Sequence, residues 1–96
     1  MTIVHIEHPT VGFDAWKAAF DRDPIGRKRV GVRHYRIVRD VEERNHVAID
    51  LVFEDRPAAE RFRASMLQLW QTPQAGAVLA GAPSARIVEE VETGTY

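Results

Sequence analysis

Two runs of residues in the middle of the chain alternate between apolar and polar side chains, which is the period of a β-strand with one buried face. The runs are Val32–Arg39 and His46–Glu54, and the polar segment Asp40–Asn45 joins them. We therefore predict a β-hairpin with one apolar face and one mixed face. The apolar face carries Tyr35, Ile37, Val47, Ile49, Leu51 and Phe53. The mixed face carries His34, Arg36, Val38, His46, Ala48, Asp50 and Val52.

A strand and a helix are predicted before the hairpin. Thr2–His8 alternates, and we expect Pro9 to end this strand because proline cannot donate a ladder hydrogen bond. The side chains of the strand divide into an apolar face, Val4 and Ile6, and a second face, Ile3, His5 and Glu7. Phe13–Asp21 has apolar residues at helical spacing, which predicts a helix with Asp14 as its N-cap.

A second helix and a last strand are predicted after the hairpin. Asp55 is a candidate N-cap, and the helix should end near Trp70 or Gln71. Its apolar stripe consists of Ala59, Phe62, Met66 and Leu69. Gln74–Ala80 is interpreted as a short helical turn inside a loop. Ala85–Val91 again alternates, which predicts the last strand.

The predicted order, β-α-β-β-α-β, is that of the ferredoxin-like α+β fold, in which two helices cover one face of a four-stranded antiparallel sheet. The other face would carry apolar residues among its polar ones: Ile3, Val38, Ala48, Val52 and Val88. That face is too apolar to be left in water and too polar for a dry core. A second copy of the chain, packed sheet against sheet across a two-fold axis, is the economical cover.

Length and composition exclude several classes of function. The 96 residues are enough for one domain, 1–96, with a modest core. The net charge of −1 argues against a nucleic-acid partner, which would require a basic excess. The sequence has no run long enough to span a bilayer and no leader, so we expect a cytoplasmic protein without a membrane partner. The absence of cysteine excludes disulfides, thiol nucleophiles and Cys-ligated zinc.

The segments Gly31–Arg39, Asn45–Asp50 and Phe53–Asp55 resemble the hairpin and helix entry of the dimeric α+β barrel superfamily, which includes the antibiotic-biosynthesis monooxygenase-like proteins. The shared features are a glycine before a strand, a tyrosine inside it, and an aromatic residue and an acid before the second helix. The resemblance implies a homodimer with a small-molecule pocket between sheet and helices or inside the barrel. Members include cofactor-free monooxygenases, haem-degrading enzymes, isomerases, lyases, cyclases and proteins without known activity, so the fold does not determine the chemistry.

The candidate catalytic residues lie on the mixed face: His34, Asp50, His5 and Arg36. Two hairpin registers are open, one that pairs His34 with Asp50 and one that pairs Arg36 with Asp50. A histidine held by a carboxylate is a good general base, because the carboxylate fixes its tautomer and raises its basicity. The alternative, which we favour slightly, is that these residues are structural hydrogen-bonding partners at a dimer interface.

No metal or cofactor is predicted. His5 and His8 are three residues apart on a strand and therefore point to opposite faces, so they cannot chelate one ion. His5, His34 and Asp50 have side chains that could bind a metal ion, but they would meet at one point only if the assumed fold is correct. We therefore do not favour this site. The basic cluster 27–29 is interpreted as a solvated connection, with an anion clamp as the alternative.

Large apolar side chains at helical spacing form either ordinary core, which we favour, or a pocket for a flat hydrophobic ligand. These side chains are Trp16, Phe20, Phe62, Met66 and Trp70. In the pocket interpretation, Tyr35 would offer its hydroxyl group to the ligand. Trp70 is the better pocket candidate because it ends its helix beside a loop that could act as a lid.

The leading hypothesis is a cofactor-free monooxygenase-like or cyclase-like enzyme that acts on a hydrophobic small molecule. His34 or His5 would take a proton, and Arg36 or Tyr35 would stabilise the resulting enolate. The alternatives are a non-catalytic ligand-binding dimer and a purely structural domain. A catalytic protein predicts a histidine of perturbed pKa facing a cavity, a binding module predicts an apolar pocket without one, and a structural domain predicts no cavity.

Overall fold

The computed structural model describes residues 1–96, which form four strands and three helices. In chain order they are β1 (Thr2–Pro9), α1 (Phe13–Arg22), β2 (His34–Arg39), β3 (His46–Phe53), α2 (Arg56–Leu69), α3 (Pro73–Gly76) and β4 (Ser84–Glu89). This order confirms the ferredoxin-like α+β prediction. The short helix α3 lies where a helical turn was predicted. No helix has the length and apolar character needed to cross a bilayer.

The four strands form one antiparallel sheet in the order β2-β3-β1-β4. In the hairpin, Arg36 lies opposite Asp50 and Val38 lies opposite Ala48, which selects the second of the two predicted registers. His34 lies opposite Val52, so the alternative register that pairs His34 with Asp50 does not occur. The two central strands, β1 and β3, have a neighbouring strand on each side and pair with each other over their full length.

The hydrophobic core lies between the sheet and the helices. The side chains of β3 alternate strictly between buried and half-buried from His46 to Phe53, which confirms the predicted apolar face of that strand. The buried residues are Val4, Ile6, Trp16, Val32, Val47, Ile49, Leu51, Phe53, Ala58, Ala59 and Phe62. Tyr35 shares this side of the sheet but is 47% exposed, because β2 is an edge strand that the helices do not fully cover.

Three predicted boundaries are wrong. The N-cap of α1 is Gly12 rather than Asp14, and no side chain caps this helix. The helix begins at Phe13 because the Phe13 ring packs on Trp16, with 5.9 Å between ring centroids. Strand β1 includes Pro9, which pairs with His46 at the end of the ladder. Strand β4 ends at Glu89, so Val91 lies outside it and is exposed.

The start of α2 follows the prediction. The carboxylate of Asp55 accepts a hydrogen bond from the backbone N–H of Ala58 at 2.8 Å, and Pro57 lies in the first turn, where no intrahelical N–H is needed. The turn before β2 contains Gly31 at a φ of 110°, a conformation that side chains with a Cβ rarely adopt. A Cβ there would make only ordinary van der Waals contacts with Ala58 and Phe53, so the positive φ, and not a shortage of space, favours glycine at this position.

We expect Asp55→Ala to lower the free energy of unfolding by about 1 kcal/mol, since the variant leaves the Ala58 N–H without its acceptor. Asp55→Asn is the matched control, because the amide oxygen can still accept that hydrogen bond and should retain most of the stability. Urea unfolding followed by circular dichroism measures both. Equal losses in the two variants would contradict a capping role for Asp55.

Candidate functional site

A cavity of about 410 Å³ lies between the sheet and the helices. Strands β1 and β3 provide its floor through Ile6, His8, Ile49 and Leu51. Its walls are mostly the aromatic and apolar side chains of the helices and of the residue that caps α2: Trp16, Phe20, Phe62, Met66, Leu69 and Trp70. The exposed residues Arg22, Pro24 and Gln74 mark the side on which it opens to solvent. A pocket of this size and lining suits a small apolar ligand.

The predicted pocket residues are therefore brought together, with one exception. Trp16, Phe20, Met66 and Trp70 all line the cavity, and Trp16 is also part of the buried core. Trp16 therefore has a place both in the core and in the cavity wall, while its role toward a ligand stays a prediction. Tyr35 does not line the cavity. It packs edge-on against Phe20 with 5.2 Å between ring centroids.

His8 is the polar residue buried in the floor of this cavity, and sequence reasoning did not identify it as a site residue. It is 2% exposed, and its ring packs edge-on against Trp16 at 5.6 Å. Its Nδ1–H donates to the carbonyl of Pro9 at 3.1 Å, while Nε2 makes no hydrogen bond within the chain. The alternation of Val4, Ile6 and His8 was the available signal, since it places all three on the helix side of β1.

Burial sets the charge state of His8. Desolvation lowers its pKa from the ordinary value of 6.5, and it outweighs the raising effect of the hydrogen bond to Pro9. The imidazole is therefore neutral at pH 7. With Nδ1 carrying the proton, Nε2 presents a free lone pair beside the cavity, which can accept a hydrogen bond or a proton from a ligand.

A second cluster of titratable residues lies on the opposite face of the sheet. His5 Nδ1–H donates to Asp50 at 2.5 Å, and Arg36 Nη2 donates to the other oxygen of Asp50 at 3.1 Å. His5 Nε2–H donates to Glu7 at 3.1 Å, and His46 Nε2 reaches the second Glu7 oxygen at 3.2 Å. These five residues form one continuous row of hydrogen bonds, which we call the open-face row.

The open-face row favours the charged form of His5. Both of its ring nitrogens face carboxylate oxygens, an arrangement that requires both to carry protons. The hydrogen bond to Asp50 raises the pKa of His5 by more than partial burial lowers it, and the hydrogen bond to Glu7 raises the pKa further. The pKa of Glu7 is lowered in turn by its hydrogen bonds to His46 and His5.

The predicted catalytic set is divided by this geometry. The structure brings Asp50, His5 and Arg36 together, as the second register requires. His34 is exposed and makes no side-chain hydrogen bond to them, because it lies two residue pairs further along the hairpin, opposite Val52. The open-face row is separated from the cavity by the sheet itself. His5 and His8 point to opposite faces, as predicted, and no group of three His, Asp or Glu side chains could hold a metal ion.

The basic cluster differs from the solvated connection that we favoured. Lys28 and Arg29 are exposed, but the Arg27 side chain is only 17% exposed. Its guanidinium carbon lies 3.7 Å from the centroid of the Phe20 ring, and Nη1 donates to the Phe20 carbonyl at 2.9 Å. Asp23 holds it by an ion pair of 3.4 Å. Arg27 is packed because a cation stacked on an aromatic ring needs less water around it than an isolated one.

Comparisons with known proteins support the fold. No family model matches the sequence, and no curated protein matches it significantly. Among solved structures, SnoaB from Streptomyces nogalater, a cofactor-independent oxygenase, superposes with a TM-score of 0.71 at 18% identity, over 96% of this chain and 93% of that one. A Nitrosomonas europaea protein described as a candidate antibiotic biosynthesis monooxygenase gives 0.71 at 13% identity, over 96% and 100%.

A third similar structure is Rv0793 from Mycobacterium tuberculosis, with a TM-score of 0.66 at 16% identity over 99% of this chain and 100% of that one. The chain therefore has the fold of the antibiotic biosynthesis monooxygenase-like proteins, as the sequence resemblance implied. At these identities the similarity concerns the backbone, so the chemistry has to be argued from the side chains.

We expect the pKa of His8 to lie below the ordinary value of 6.5 and the pKa of His5 to lie above it. The folded pKa of His8 is lowered, so its contribution to stability is present above pH 6.5 and is lost as the pH falls toward the folded value. The folded pKa of His5 is raised, so its contribution is complete below pH 6.5 and is lost as the pH rises through the folded value.

The titration of the histidine ring protons by NMR, assigned with His5→Gln and His8→Gln, measures both pKa values. A midpoint above 6.5 for His8, or below 6.5 for His5, would show that the described contacts do not control these charges. The nitrogen shifts of His8 should also identify Nδ1 as the protonated nitrogen.

Proposed function

We propose that the chain binds a flat hydrophobic small molecule in the cavity and that His8 acts as the general base or hydrogen-bond acceptor for it. The observation that carries this proposal is the buried, neutral His8, whose Nε2 is unpartnered beside an otherwise apolar cavity. Because Nε2 makes no hydrogen bond within the chain, it is free to accept one from a ligand hydroxyl group or to take a proton from an acidic C–H group. The aromatic walls of Trp16 and Phe20 favour a planar ligand.

The reaction that we propose is a cofactor-independent oxygenation. Nε2 of His8 would take a proton from an acidic methylene group of the substrate and leave a carbanion stabilised within an aromatic ring system. Molecular oxygen would then accept electrons from that carbanion and form a carbon–oxygen bond. Loss of water from the peroxide converts the methylene group and O₂ into a carbonyl group and one water molecule, and His8 returns its proton to the departing oxygen. The cofactor-independent oxygenase SnoaB has the same fold, which supports this choice.

His5, Asp50, Arg36 and His34 have a different place in this proposal. They lie on the far side of the sheet from the cavity, so none of them is within reach of a ligand held there. The open face also exposes Val38 (46%) and Val88 (41%), which a monomer would leave in water. We propose that this face packs against a second copy of the chain and that the open-face row provides polar contacts at the interface.

The dimer proposal predicts a mass in solution of about twice 10.9 kDa by light scattering. Val38→Glu should shift the protein toward the monomer, because it places an unpaired charge in the apolar part of the interface. Val41→Glu is the matched control, since Val41 is 90% exposed in the hairpin turn. A wild-type monomer, or an equal effect of both variants, would contradict this interface.

A second candidate function is ligand binding without catalysis. It is favoured by the lining of the cavity, in which His8 is the only buried polar side chain. In this case His8 would fix the orientation of a ligand hydroxyl group and transfer no proton.

We expect His8→Gln to slow oxygen uptake with a tricyclic anthrone by roughly 10²–10⁴-fold, the usual contribution of a general base. The variant should still bind the fluorescent apolar probe N-phenyl-1-naphthylamine, because the aromatic walls remain. Ala75→Trp, which fills the cavity from α3, should abolish both binding and oxygen uptake. An oxygen electrode and probe fluorescence measure the two quantities.

Undiminished oxygen uptake by His8→Gln would exclude His8 as the base. Probe binding by the wild type without any oxygen uptake above the uncatalysed rate would favour the non-catalytic function. Absence of probe binding would overturn the cavity as a ligand site.

A further inference from the structure

A shallow basic cleft adjoins the cavity and shares part of its wall. The cleft has a volume of about 350 Å³. It is lined by Asp23, Arg27, Lys28, Val32, Arg33 and Tyr35. Asp23 and Arg27 line the cavity as well, so the two spaces adjoin at these side chains. A ligand that fills the cavity therefore ends beside this cleft.

Arg27 lies at the boundary between the two spaces. Its guanidinium group stacks on Phe20, a cavity residue, and lies 5.3 Å from the centroid of the Tyr35 ring in the cleft. Only Nη1 is engaged, by the Phe20 carbonyl and by Asp23. Nε and Nη2 make no hydrogen bond within the chain, so two donors of a well-positioned guanidinium group are free.

The other charges of the cleft leave a positive excess. Asp23 offsets one of the three cations that line it, and Glu54 pairs with Arg33 at 3.3 Å from outside the cleft. Lys28 has no carboxylate partner, and the Tyr35 hydroxyl group makes no hydrogen bond. A free ammonium group, a free hydroxyl donor and two free guanidinium donors around one concave surface are the groups that bind an oxyanion.

We propose that this cleft binds the anionic group of an aromatic acid whose apolar body occupies the cavity. The inference rests on the proposed ligand function of the cavity and narrows it to amphipathic ligands that carry one carboxylate or similar oxyanion. The body would contact Trp16 and Phe20, and the anion would lie past Arg27, between Lys28 and Tyr35. The anion clamp that was the alternative for the basic cluster would then consist of Arg27 and Lys28 without Arg29, which does not line the cleft.

Two matched fluorescent probes test the proposal. N-phenyl-1-naphthylamine and 8-anilinonaphthalene-1-sulfonate have the same aromatic body, and only the second carries an anion. Lys28→Gln and Tyr35→Phe should each weaken binding of the sulfonate by about 2- to 5-fold, the range expected for partly exposed charge-assisted contacts. Neither variant should change the affinity for the neutral probe. Added salt should weaken binding of the sulfonate alone.

Arg44→Gln is the matched control, because it removes one positive charge from the hairpin turn at the opposite end of β2 from the cleft. It should leave both affinities unchanged. Ala75→Trp should abolish binding of both probes. This result would show that the aromatic body of the sulfonate probe binds in the cavity.

The outcomes separate the two proposals. If the neutral probe binds but Lys28→Gln and Tyr35→Phe do not change the ratio of the two affinities, the anion subsite is wrong and the cavity remains a ligand site. If neither probe binds in a manner that Ala75→Trp abolishes, the cavity function fails and the subsite fails with it. If Arg44→Gln weakens sulfonate binding as much as Lys28→Gln does, the effect comes from the net charge of the protein. That result would contradict an anion subsite in the cleft.

Discussion

Strands β1 and β3 bury every second side chain against the helices, and this burial positions all the chemistry of the molecule. Val4, Leu51 and Phe53 are almost entirely removed from water, and each contributes about 1.5–3 kcal/mol of burial free energy. A shift of either strand by one residue would exchange these side chains for those of the other face, including His5 and Asp50. Burying such charged groups without partners in an apolar core costs too much free energy, so a shift of either strand by one residue is excluded.

The same alternation gives two histidines of one short strand opposite charge states. His8 faces the helices, where desolvation keeps its imidazole neutral. His5 faces the other way and lies between two carboxylates that favour its protonated form. A neutral histidine can accept a proton from a ligand, whereas a histidine held as an imidazolium ion can only donate one. The proposed division of roles, with His8 at the ligand and His5 at an interface, follows from this difference.

The cavity exists because the helix side chains approach the sheet without filling the space above it. Trp16 packs well enough to be buried, yet its ring still forms part of the cavity wall. Arg27 borders one end, where it stacks on Phe20 and pairs with Asp23. Apart from His8 in the floor, the polar side chains lie at the edge of the cavity, which suits the proposed ligand with an apolar body and a charge at one end.

The fold and the open-face residues could be predicted from the sequence, because side-chain periodicity within each element determines which residues share a face. The order of elements then indicated the antiparallel sheet, and Asp55 was recognisable as a cap from its type and position. Periodicity could not choose between the two hairpin registers, since both keep the same residues on the same face. It also could not place the start of α1, where the packing of Phe13 on Trp16 prevailed over the capping preference of Asp14.

The order of the helices and strands, and the face on which most side chains lie, could be inferred from the sequence because they depend on residues close together in the chain. Three features required the folded chain: the contact of Asp50 with Arg36 and His5 rather than His34, the packing of Arg27 and the position of His8 at a cavity. Each of these depends on the distance between elements far apart in the chain. Such distances are set by how the helices seat on the sheet, which no local pattern of residues encodes.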